Sequence, residues 1–346
     1  MTSQLLQQIA ARSNAYRTLL KGKVTVLTYH RVLPEDDLTA EDISWEMAVT
    51  KPVFCEHLKF LHDEFVVIDE EQLVRFLDGE DRLRPDRAYV AITFDDGWRD
   101  NFDHAFDLLR QTKTPATIFL CTAHIDNGAP FWWAALEQGV KQFGIDETRR
   151  QLQIIANQDS EPVSSPWATP DDVPTLRSLT AVLKQMPADK LTNLITHWIV
   201  AYMSETTRTV MTWEEVSEMA RASIKFGPHT RHHTILPGLS LEQQREEVEG
   251  CAADLAARGL DTSAFFCFPS GEVDEASTQV VQAAGFDYAY GLGGAAFSPK
   301  NYSRPSVIPR LNVGMHNSGS LGAFKWALTK AGIRAHRQRA PQSGRA

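Results

Sequence analysis

The chain has 346 residues, of which 43% are hydrophobic, and this composition fits a folded protein with a sizeable core. Its formal charge is −9, and the six Lys and Arg residues after position 316, with no acid among them, leave −15 for the remainder. This balance excludes a general nucleic-acid surface. The chain shows neither a signal-peptide pattern nor an apolar window of about 18 residues, so we expect a cytoplasmic protein. Four cysteines without a metal-binding spacing are expected to be free thiols.

Short apolar runs alternate with segments of helical periodicity along most of the chain. This alternation is typical of a parallel sheet that helices cover on both sides. Seven or eight such units favour an α/β fold with a closed or nearly closed (β/α) barrel rather than an open sheet. The strand candidates are residues 24–29, 65–68, 89–94, 116–121, 223–226, 264–268, 287–291 and 306–311.

Helix signals lie between the strand candidates. Phe102, Ala105 and Leu109 fall on one helical face, and capping boxes that begin at Thr212 and Ser240 predict the starts of two further helices. Residues from about 125 to 211 interrupt the alternation. They contain a helical stripe and a polar stretch rich in Pro and Ser, and we interpret them as a helical insertion on a barrel loop. The stripe consists of Leu191, Leu194, Ile195, Trp198 and Ile199.

The two ends of the chain differ from the barrel region. We predict a helical segment over residues 1–23, the barrel over 24–316, and a basic tail over 317–346. The tail combines apolar residues such as Phe324 and Leu328 with cations only. Such a segment can lie peripherally on the anionic inner face of a membrane, or it can be a disordered basic tail.

Two adjacent acids end the third strand candidate. Asp95 and Asp96 follow the apolar run YVAITF and precede Gly97. Adjacent carboxylates at a strand end repel each other, and a cation or a proton would resolve the conflict. A helix cap combined with a turn acid is the structural alternative for this motif.

The second polar motif is a group of histidines in FGPHTRHHTIL. His229 and His233 are four residues apart, and on a helical turn they would share one face and could bind one metal ion. His232 should then point away. With a carboxylate from the acid pair, two imidazoles make a mixed oxygen and nitrogen site of the kind that hydrolytic metals use.

The paired motifs TFDDG and HTRHH resemble those of the polysaccharide deacetylase family, which is carbohydrate esterase family 4 and is also called the NodB homology domain. The similarity covers residues 24–124 and 212–312. It implies a distorted barrel with a metal at the carboxyl ends of the strands. In the family pattern Asp95 is the catalytic base, Asp96 is a metal ligand, and His229 and His233 are the histidine ligands. The implied cofactor is one divalent ion, with zinc preferred and cobalt, nickel or manganese as alternatives.

The third family motif, usually R-x-P-Y-G, is altered in this chain. The sequence has Cys267 in place of the arginine that steadies the base and Ser270 in place of the tyrosine. The main-chain N–H of Ser270 can still serve an oxyanion. Arg310, at the end of a late strand candidate, is our candidate for the missing arginine, although it could equally pair with a structural acid.

A histidine is also expected to protonate the leaving amine. His30 ends the first strand candidate in VTVLTYH, and it resembles the general acid of the poly-N-acetylglucosamine deacetylase branch. His316 is the alternative, and a buried structural histidine at position 30 is a third interpretation. As general acid, His30 should lie across the metal site from Asp95 and should be protonated at rest, while Tyr29 and Arg31 point toward the helices.

The resemblance implies a hydrolase that removes N-acetyl groups from a sugar or glycan precursor in the synthesis of cell-surface polysaccharide or glycolipid. The absence of an export signal favours a nucleotide-linked or polyprenyl-linked carbohydrate. The alternatives are an N-deformylase of a lipid-linked aminosugar and a catalytically silent carbohydrate-binding relative. Trp132 and Trp133 are candidate substrate contacts because aromatic faces stack on sugars, although they could simply pack at the start of the insertion.

Overall fold

A computed structural model describes the chain over residues 14–39, 42–126, 130–158, 167, 175–203, 207–304 and 306–337. Most of the Pro- and Ser-rich stretch of the insertion, residues 1–13 and residues 338–346 lie outside these ranges. The predictions made for those segments therefore remain predictions.

The described strands pair with one another in parallel. In chain order the strands are β1 (Val24–Tyr29), β2 (Arg31–Leu33), β3 (Ala48–Thr50), β4 (Val66–Val67), β5 (Tyr89–Phe94), β6 (Thr117–Leu120), β7 (Lys225–Pro228), β8 (Phe265–Cys267), β9 (Tyr288–Leu292) and β10 (Ser306–Asn312).

Seven of these strands form a nearly closed barrel, as the sequence predicts. Their order is β7-β6-β5-β1-β10-β9-β8, every pairing is parallel, and β4 pairs separately with the start of β5. A parallel bridge between Phe226 and Thr262 joins the two ends of the sheet. Strand β1 pairs with β5 on one side and with β10 on the other. Its side chains are buried on both faces, which explains its continuous apolar sequence.

The helices cover the outside of the barrel. The described α-helices are α1 (Ala15–Leu19), α2 (Lys51–Glu64), α3 (Glu70–Leu77), α4 (Phe106–Thr112), α5 (Trp132–Phe143), α6 (Ile145–Ala156), α7 (Leu176–Leu183), α8 (Ala188–Tyr202), α9 (Trp213–Arg221), α10 (Leu241–Ala256), α11 (Glu275–Ala283), α12 (Met315–Ser318) and α13 (Leu321–Arg337).

The predicted helix starts are confirmed. The Thr212 side chain accepts a hydrogen bond from the main chain of Glu215 at the start of α9, and Ser240 does the same for Gln243 at α10. The predicted face with Phe102 is also helical, but its first turn, Asn101–Ala105, is a π-helix that continues into α4.

Helices α5 to α8, in the region interpreted as an insertion, pack around a small core of their own. The stripe on α8 faces this core, and Trp198 is fully buried there. Gly139 of α5 lies directly against Trp198, because a Cβ atom at this glycine would come within 2.2 Å of the indole. The close approach explains why the two helices can pack around so large a side chain.

The C-terminal tail is ordered and packed over residues 321–337, where it forms helix α13. Phe324 and Leu328 are buried in the main core, and the Phe324 ring stacks on His57 of α2 at a centroid distance of 4.0 Å. The interpretation of these residues as a disordered tail is therefore wrong, and these two apolar side chains do not face solvent. None of the described helices is both long and apolar enough to cross a membrane.

The short parallel pair β2–β3 is a feature that the sequence analysis does not predict. Strand β2 follows His30 directly and pairs with Ala48–Thr50, outside the barrel sheet. The interruption at His30 thus separates the barrel strand β1 from a short extension at the barrel mouth. It leaves His30 at the point where the chain changes direction between two sheets.

Candidate active site

The predicted site residues meet at one end of the barrel. Asp95 and Asp96 follow β5, His229 follows β7, and His30 follows β1. Because the strands are parallel, their carboxyl ends share one rim, where barrels of this kind carry their chemistry. Arg310 extends from the C-terminal half of β10 to Asp95 at the same rim.

Asp95 and Arg310 form a bidentate ion pair in the barrel interior. The two terminal nitrogens of Arg310 each donate to one Asp95 oxygen at 2.7 Å, and both side chains are buried. Arg310 also donates to the hydroxyl of Thr93 at 3.1 Å, and its guanidinium lies 3.0 Å from the sulfur of Cys267. Arg310 thus binds the carboxylate that the missing arginine of the third motif is expected to steady, and Cys267 lies beside the pair.

The ion pair determines the charge of Asp95. Burial alone would raise the pKa of this carboxyl, but the charge and the hydrogen bonds of Arg310 outweigh that effect and hold the pKa below its ordinary value. Asp95 is therefore ionised at neutral pH and can accept a proton. This is the state that a general base requires.

Asp96 lies in a tight turn with an unusual main chain. Its φ is 76°, followed by a φ of 83° at Gly97. A side chain at Gly97 would also collide with Leu120, whose Cδ2 lies 2.8 Å from the position of a Cβ atom. The turn points the Asp96 carboxylate away from Asp95 and toward the two histidines after β7.

One oxygen of Asp96 faces two imidazole nitrogens. Its Oδ1 atom lies 3.5 Å from Nε2 of His229 and 3.3 Å from Nε2 of His233. This oxygen is buried and has no hydrogen-bond partner among the described residues. His229 donates from Nδ1 to the main-chain oxygen of Cys267 at 2.8 Å, which leaves Nε2 available as a metal ligand. A carboxylate oxygen and imidazole nitrogens are the donor types that a hydrolytic divalent ion takes. Among the described residues, Asp96 and His229 form a close donor group with Cys121, and His233 faces the same Asp96 oxygen.

The predicted helical turn across the histidines is wrong. Residues 229–234 are not helical, and both Thr230 and His233 have positive φ values, 62° and 58°. The Thr230 hydroxyl accepts from the main chain of Thr234, and this local bond stabilises a bend instead of a helix. The bend still directs both imidazoles at Asp96. His232 points away, as predicted, and binds Glu247 at 2.8 Å.

The structure adds residues that the sequence reasoning missed. Cys121, at the end of β6, is buried with its sulfur within 4.8 Å of donor atoms of Asp96 and His229, and Cys267 has the same relation to Asp95 and His229. All four cysteines are free thiols. Trp98 donates to Asp96, and Asn101 donates to the main-chain oxygen of His30. These residues show no spacing in the sequence that is typical of metal sites, so the sequence alone does not predict their contacts.

His30 lies in the site, but not where the general-acid interpretation placed it. Its Nε2 atom is 3.9 Å from Asp95, since His30 and Asp95 follow directly paired residues of β1 and β5. It therefore lies beside Asp95, not across the site from it. Burial lowers the pKa of His30 in spite of the nearby Asp96 and Asp95 carboxylates, which favours a neutral resting imidazole over the protonated one that the general-acid interpretation expects. Tyr29 and Arg31 point outward, as predicted, to His57 and Asp100.

The remaining candidates occupy different places. His316 is exposed on α12, and the negative charge of Glu46 acts on its imidazole. Trp133 packs edge-on against His233 at a centroid distance of 4.8 Å, beside the proposed metal ligands. Trp132 instead packs against the insertion core, so the structure does not bring it to the site. Ser270 lies at the rim after β8 in a turn with φ of 56°.

A cavity of about 440 Å³ lies at the opposite end of the barrel. It surrounds Glu70, whose carboxylate accepts from Ser263 at 2.6 Å and from the main chain of Ala264 at 2.9 Å. None of the catalytic or metal candidates lines this cavity. These two hydrogen bonds connect the segment before β8 to α3, so we interpret Glu70 as a residue that stabilises the fold.

The fold and the site define a (β/α)-barrel protein with a cluster of carboxylate and histidine side chains, a candidate metal site, beside a buried Asp–Arg pair. The family profile described as polysaccharide deacetylase matches residues 82–147 and 159–289, which is more than half of the chain. The chain therefore belongs to the polysaccharide deacetylase family, as the motifs predict.

Individual relatives agree with this assignment. YxkH of Bacillus subtilis (strain 168), a polysaccharide deacetylase by name, is 30% identical over 104 residues, which are 30% of this chain and only 34% of YxkH. The deacetylase PplD of Streptococcus pyogenes, solved with acetate, aligns with a TM-score of 0.53 and 15% identity, over 86% of this chain and 96% of PplD. IcaB from Ammonifex degensii aligns with a TM-score of 0.52 and 19% identity, over 89% and 97% of the two chains. At these identities the two structural likenesses establish the shared fold alone.

Proposed function

We propose that this protein is a metal-dependent deacetylase that hydrolyses N-acetyl groups of a sugar or glycan precursor. One observation carries the proposal: a buried, ionised Asp95 held by Arg310 stands next to an Asp96 oxygen that faces two imidazoles. A base and a cation site in adjacent positions are what amide hydrolysis needs. Family membership supports the same reaction.

Asp96, His229 and His233 are the proposed metal ligands. When bound, a divalent ion there would supply Lewis acidity to the amide carbonyl and would make a water molecule easier to deprotonate. Two nitrogen donors and one oxygen donor suit zinc, and cobalt, nickel and manganese are the alternatives. His229 is oriented for this role by its bond to the Cys267 carbonyl.

Asp95 takes the proton from the attacking water. The two bonds from Arg310 fix the carboxylate plane, and they keep Asp95 ionised until the proton arrives. The main-chain N–H of Ser270 is the proposed donor to the oxyanion that forms from the carbonyl oxygen.

His30 delivers a proton to the departing nitrogen. Because the imidazole is neutral at rest, it must first gain that proton, and the Asp95 carboxylate is 3.9 Å away. We assign the path from water to Asp95, then to His30, and then to the amine. The C–N bond breaks as the nitrogen is protonated, and the products are acetate and a free amino sugar. Asn101 holds the main chain of His30 in place through its bond to the carbonyl oxygen.

The substrate is proposed to be a carbohydrate, with Trp133 as an aromatic contact beside the site. A nucleotide-linked or polyprenyl-linked precursor of a surface polysaccharide or glycolipid remains our preferred class, with the reaction in the cytoplasm. Peripheral membrane contact through the tail would use its cations and the half-buried Trp326 and Ile333, because Phe324 and Leu328 are buried. No contact in the described structure favours deformylation or a silent binding role.

The proposal is tested by metal analysis together with acetate release. The purified protein, loaded with zinc, is incubated with a neutral acetylated chitooligosaccharide, and acetate is measured before and after chelation. We expect one metal ion per chain and chelator-sensitive acetate release. A chain that binds no divalent ion, or that releases no acetate from acetylated sugars of any linkage, would contradict the proposed function.

A further inference from the structure

Trp98 contacts the carboxylate that we propose as a metal ligand. Its indole nitrogen donates to Oδ2 of Asp96 at 2.7 Å, and the Trp98 side chain is only 1% exposed. The contact depends on the left-handed main chain at Asp96 and Gly97, which turns the residue after the glycine back toward the carboxylate. A buried hydrogen bond to a charged acceptor is among the stronger ones in proteins.

The two oxygens of Asp96 have different surroundings. Oδ2 is occupied by the indole, whereas Oδ1 has no hydrogen-bond partner among the described residues and faces the imidazoles of His229 and His233. With Oδ2 engaged by the indole, Oδ1 is the oxygen that remains without a partner and faces the imidazoles, so it is the atom positioned to bind a cation. The indole also prevents the carboxylate from rotating about its side-chain bond.

Two neighbouring side chains hold the indole of Trp98 in place. The guanidinium of Arg31 lies over the indole ring, 4.4 Å from its centroid. The Phe131 ring also packs against Trp98, at a centroid distance of 5.0 Å. Arg31 is anchored by Asp100 at 2.8 Å and by Ser44 at 3.0 Å. Trp98 is therefore a rigid donor and not a mobile surface side chain.

We propose that Trp98 is a positioning residue for the metal site, and that its N–H group holds Asp96 as a ligand through one oxygen. The inference rests on the proposed function, because Asp96 is the metal ligand of that proposal. Outer partners of metal ligands typically contribute about 10–100-fold to metal affinity, and we expect Trp98 to contribute in that range.

The test measures the zinc dissociation constant by competition with a chromophoric chelator. Trp98→Phe removes the N–H group and part of the ring. Replacement of Trp98 by benzothienylalanine, which has sulfur in place of the N–H group, keeps the ring shape and guards against a folding defect. Trp213→Phe is the matched control, since Arg258 lies over the Trp213 ring at 4.6 Å in the same arrangement.

Both changes at position 98 should raise the zinc dissociation constant about 10–100-fold, and Trp213→Phe should leave it unchanged. The melting temperature of each metal-free protein shows whether the variant is folded. If the benzothienylalanine protein is folded and binds zinc as tightly as the wild type, Trp98 only fills space and the inference is wrong. If the wild type itself binds no zinc, the proposed function fails instead, so the two failures are distinguishable.

Discussion

Arg310 and Asp95 are joined by two hydrogen bonds of 2.7 Å in a part of the barrel where both are buried. The pair lies between β10 and the end of β5, two strands that flank β1 on opposite sides. A carboxylate held in this way has a fixed orientation and a fixed charge. Loss of either partner would leave the other charge buried and unpaired.

We therefore predict that Arg310→Met lowers both stability and turnover. An unpaired buried charge typically costs about 3–5 kcal/mol, so the free energy of unfolding should fall by that order. Turnover should fall even at temperatures at which the variant is folded, because Asp95 loses its orientation. Denaturant unfolding and initial rates measure the two effects. Arg304→Met, which removes an exposed arginine bound to Asp78, is the control and should be nearly silent in both measurements.

Asp95→Asn should separate catalysis from metal binding. Asparagine keeps the shape of the side chain but cannot accept the proton of water. A general base contributes about 10²–10⁴-fold, and we expect a loss of turnover in that range with the metal content unchanged. Initial rates and metal analysis of the same preparation provide the measurement. Wild-type turnover in this variant would rule out Asp95 as the base.

The sequence predicts much of the fold because the barrel strands are buried on both faces. Strand β1 reads as a continuous apolar run since β5 and β10 pair with its two edges and helices cover it. The short strands β2 and β3 lack this signal, because three residues are too few to show a period. Residues 321–337 are misread for a different reason: the apolar face of α13 packs on α2, and a sequence cannot show whether an amphipathic face meets a membrane or the protein itself.

The candidate site is predictable where it depends on residue type and order. The spacing of His229 and His233 identifies them as a pair, although the reason given for it, a helical turn, is wrong. Contacts across the barrel are harder to predict. Cys121 and Trp98 reach Asp96 only because β6 lies next to β5 and because the Asp96–Gly97 turn has positive φ values. The position of His30 beside Asp95 likewise follows from strand register, which sequence periodicity does not reveal.

The metal-ligand assignment predicts different outcomes for two neighbouring histidines. His229→Ala should abolish stoichiometric metal binding, because it removes one of the two imidazoles that face Asp96. His232→Ala should leave the metal content unchanged, since His232 binds Glu247 and points away. Metal analysis after dialysis measures both. Stoichiometric metal in both variants would show that the ligand set is wrong.

A pH dependence of stability is predicted from His57, which lies outside the active site. This buried imidazole donates to the Ser318 carbonyl and accepts from Tyr29, and burial lowers its pKa from 6.5 to about 4. The folded state therefore excludes a proton that the unfolded state binds below pH 6.5. Stability is fully present above that pH and is lost as the pH falls toward 4, by about 1.4 kcal/mol per unit and about 3 kcal/mol in total.

His57→Gln should flatten this dependence, because glutamine does not titrate. His62→Gln, on the same helix, is the control and should retain the wild-type slope. Denaturant unfolding at intervals from pH 7 to pH 4 gives the slopes. An unchanged slope in the His57 variant would show that other groups cause the loss of stability.

The role of His30 is tested by the choice of leaving group. An amine leaves poorly unless it is protonated, whereas a phenolate needs little protonation. His30→Ala should therefore lower turnover on acetamides strongly, by about 10²–10⁴-fold, and should affect aryl acetates much less. The metal content should stay the same, because His30 is not among the proposed ligands. His316→Ala is the control for the alternative acid, and since His316 is exposed on α12 it should leave both rates unchanged. Equal losses on acetamides and esters for His30→Ala would assign the residue to binding or packing, and a selective loss for His316→Ala would transfer the proton-donor role to that histidine.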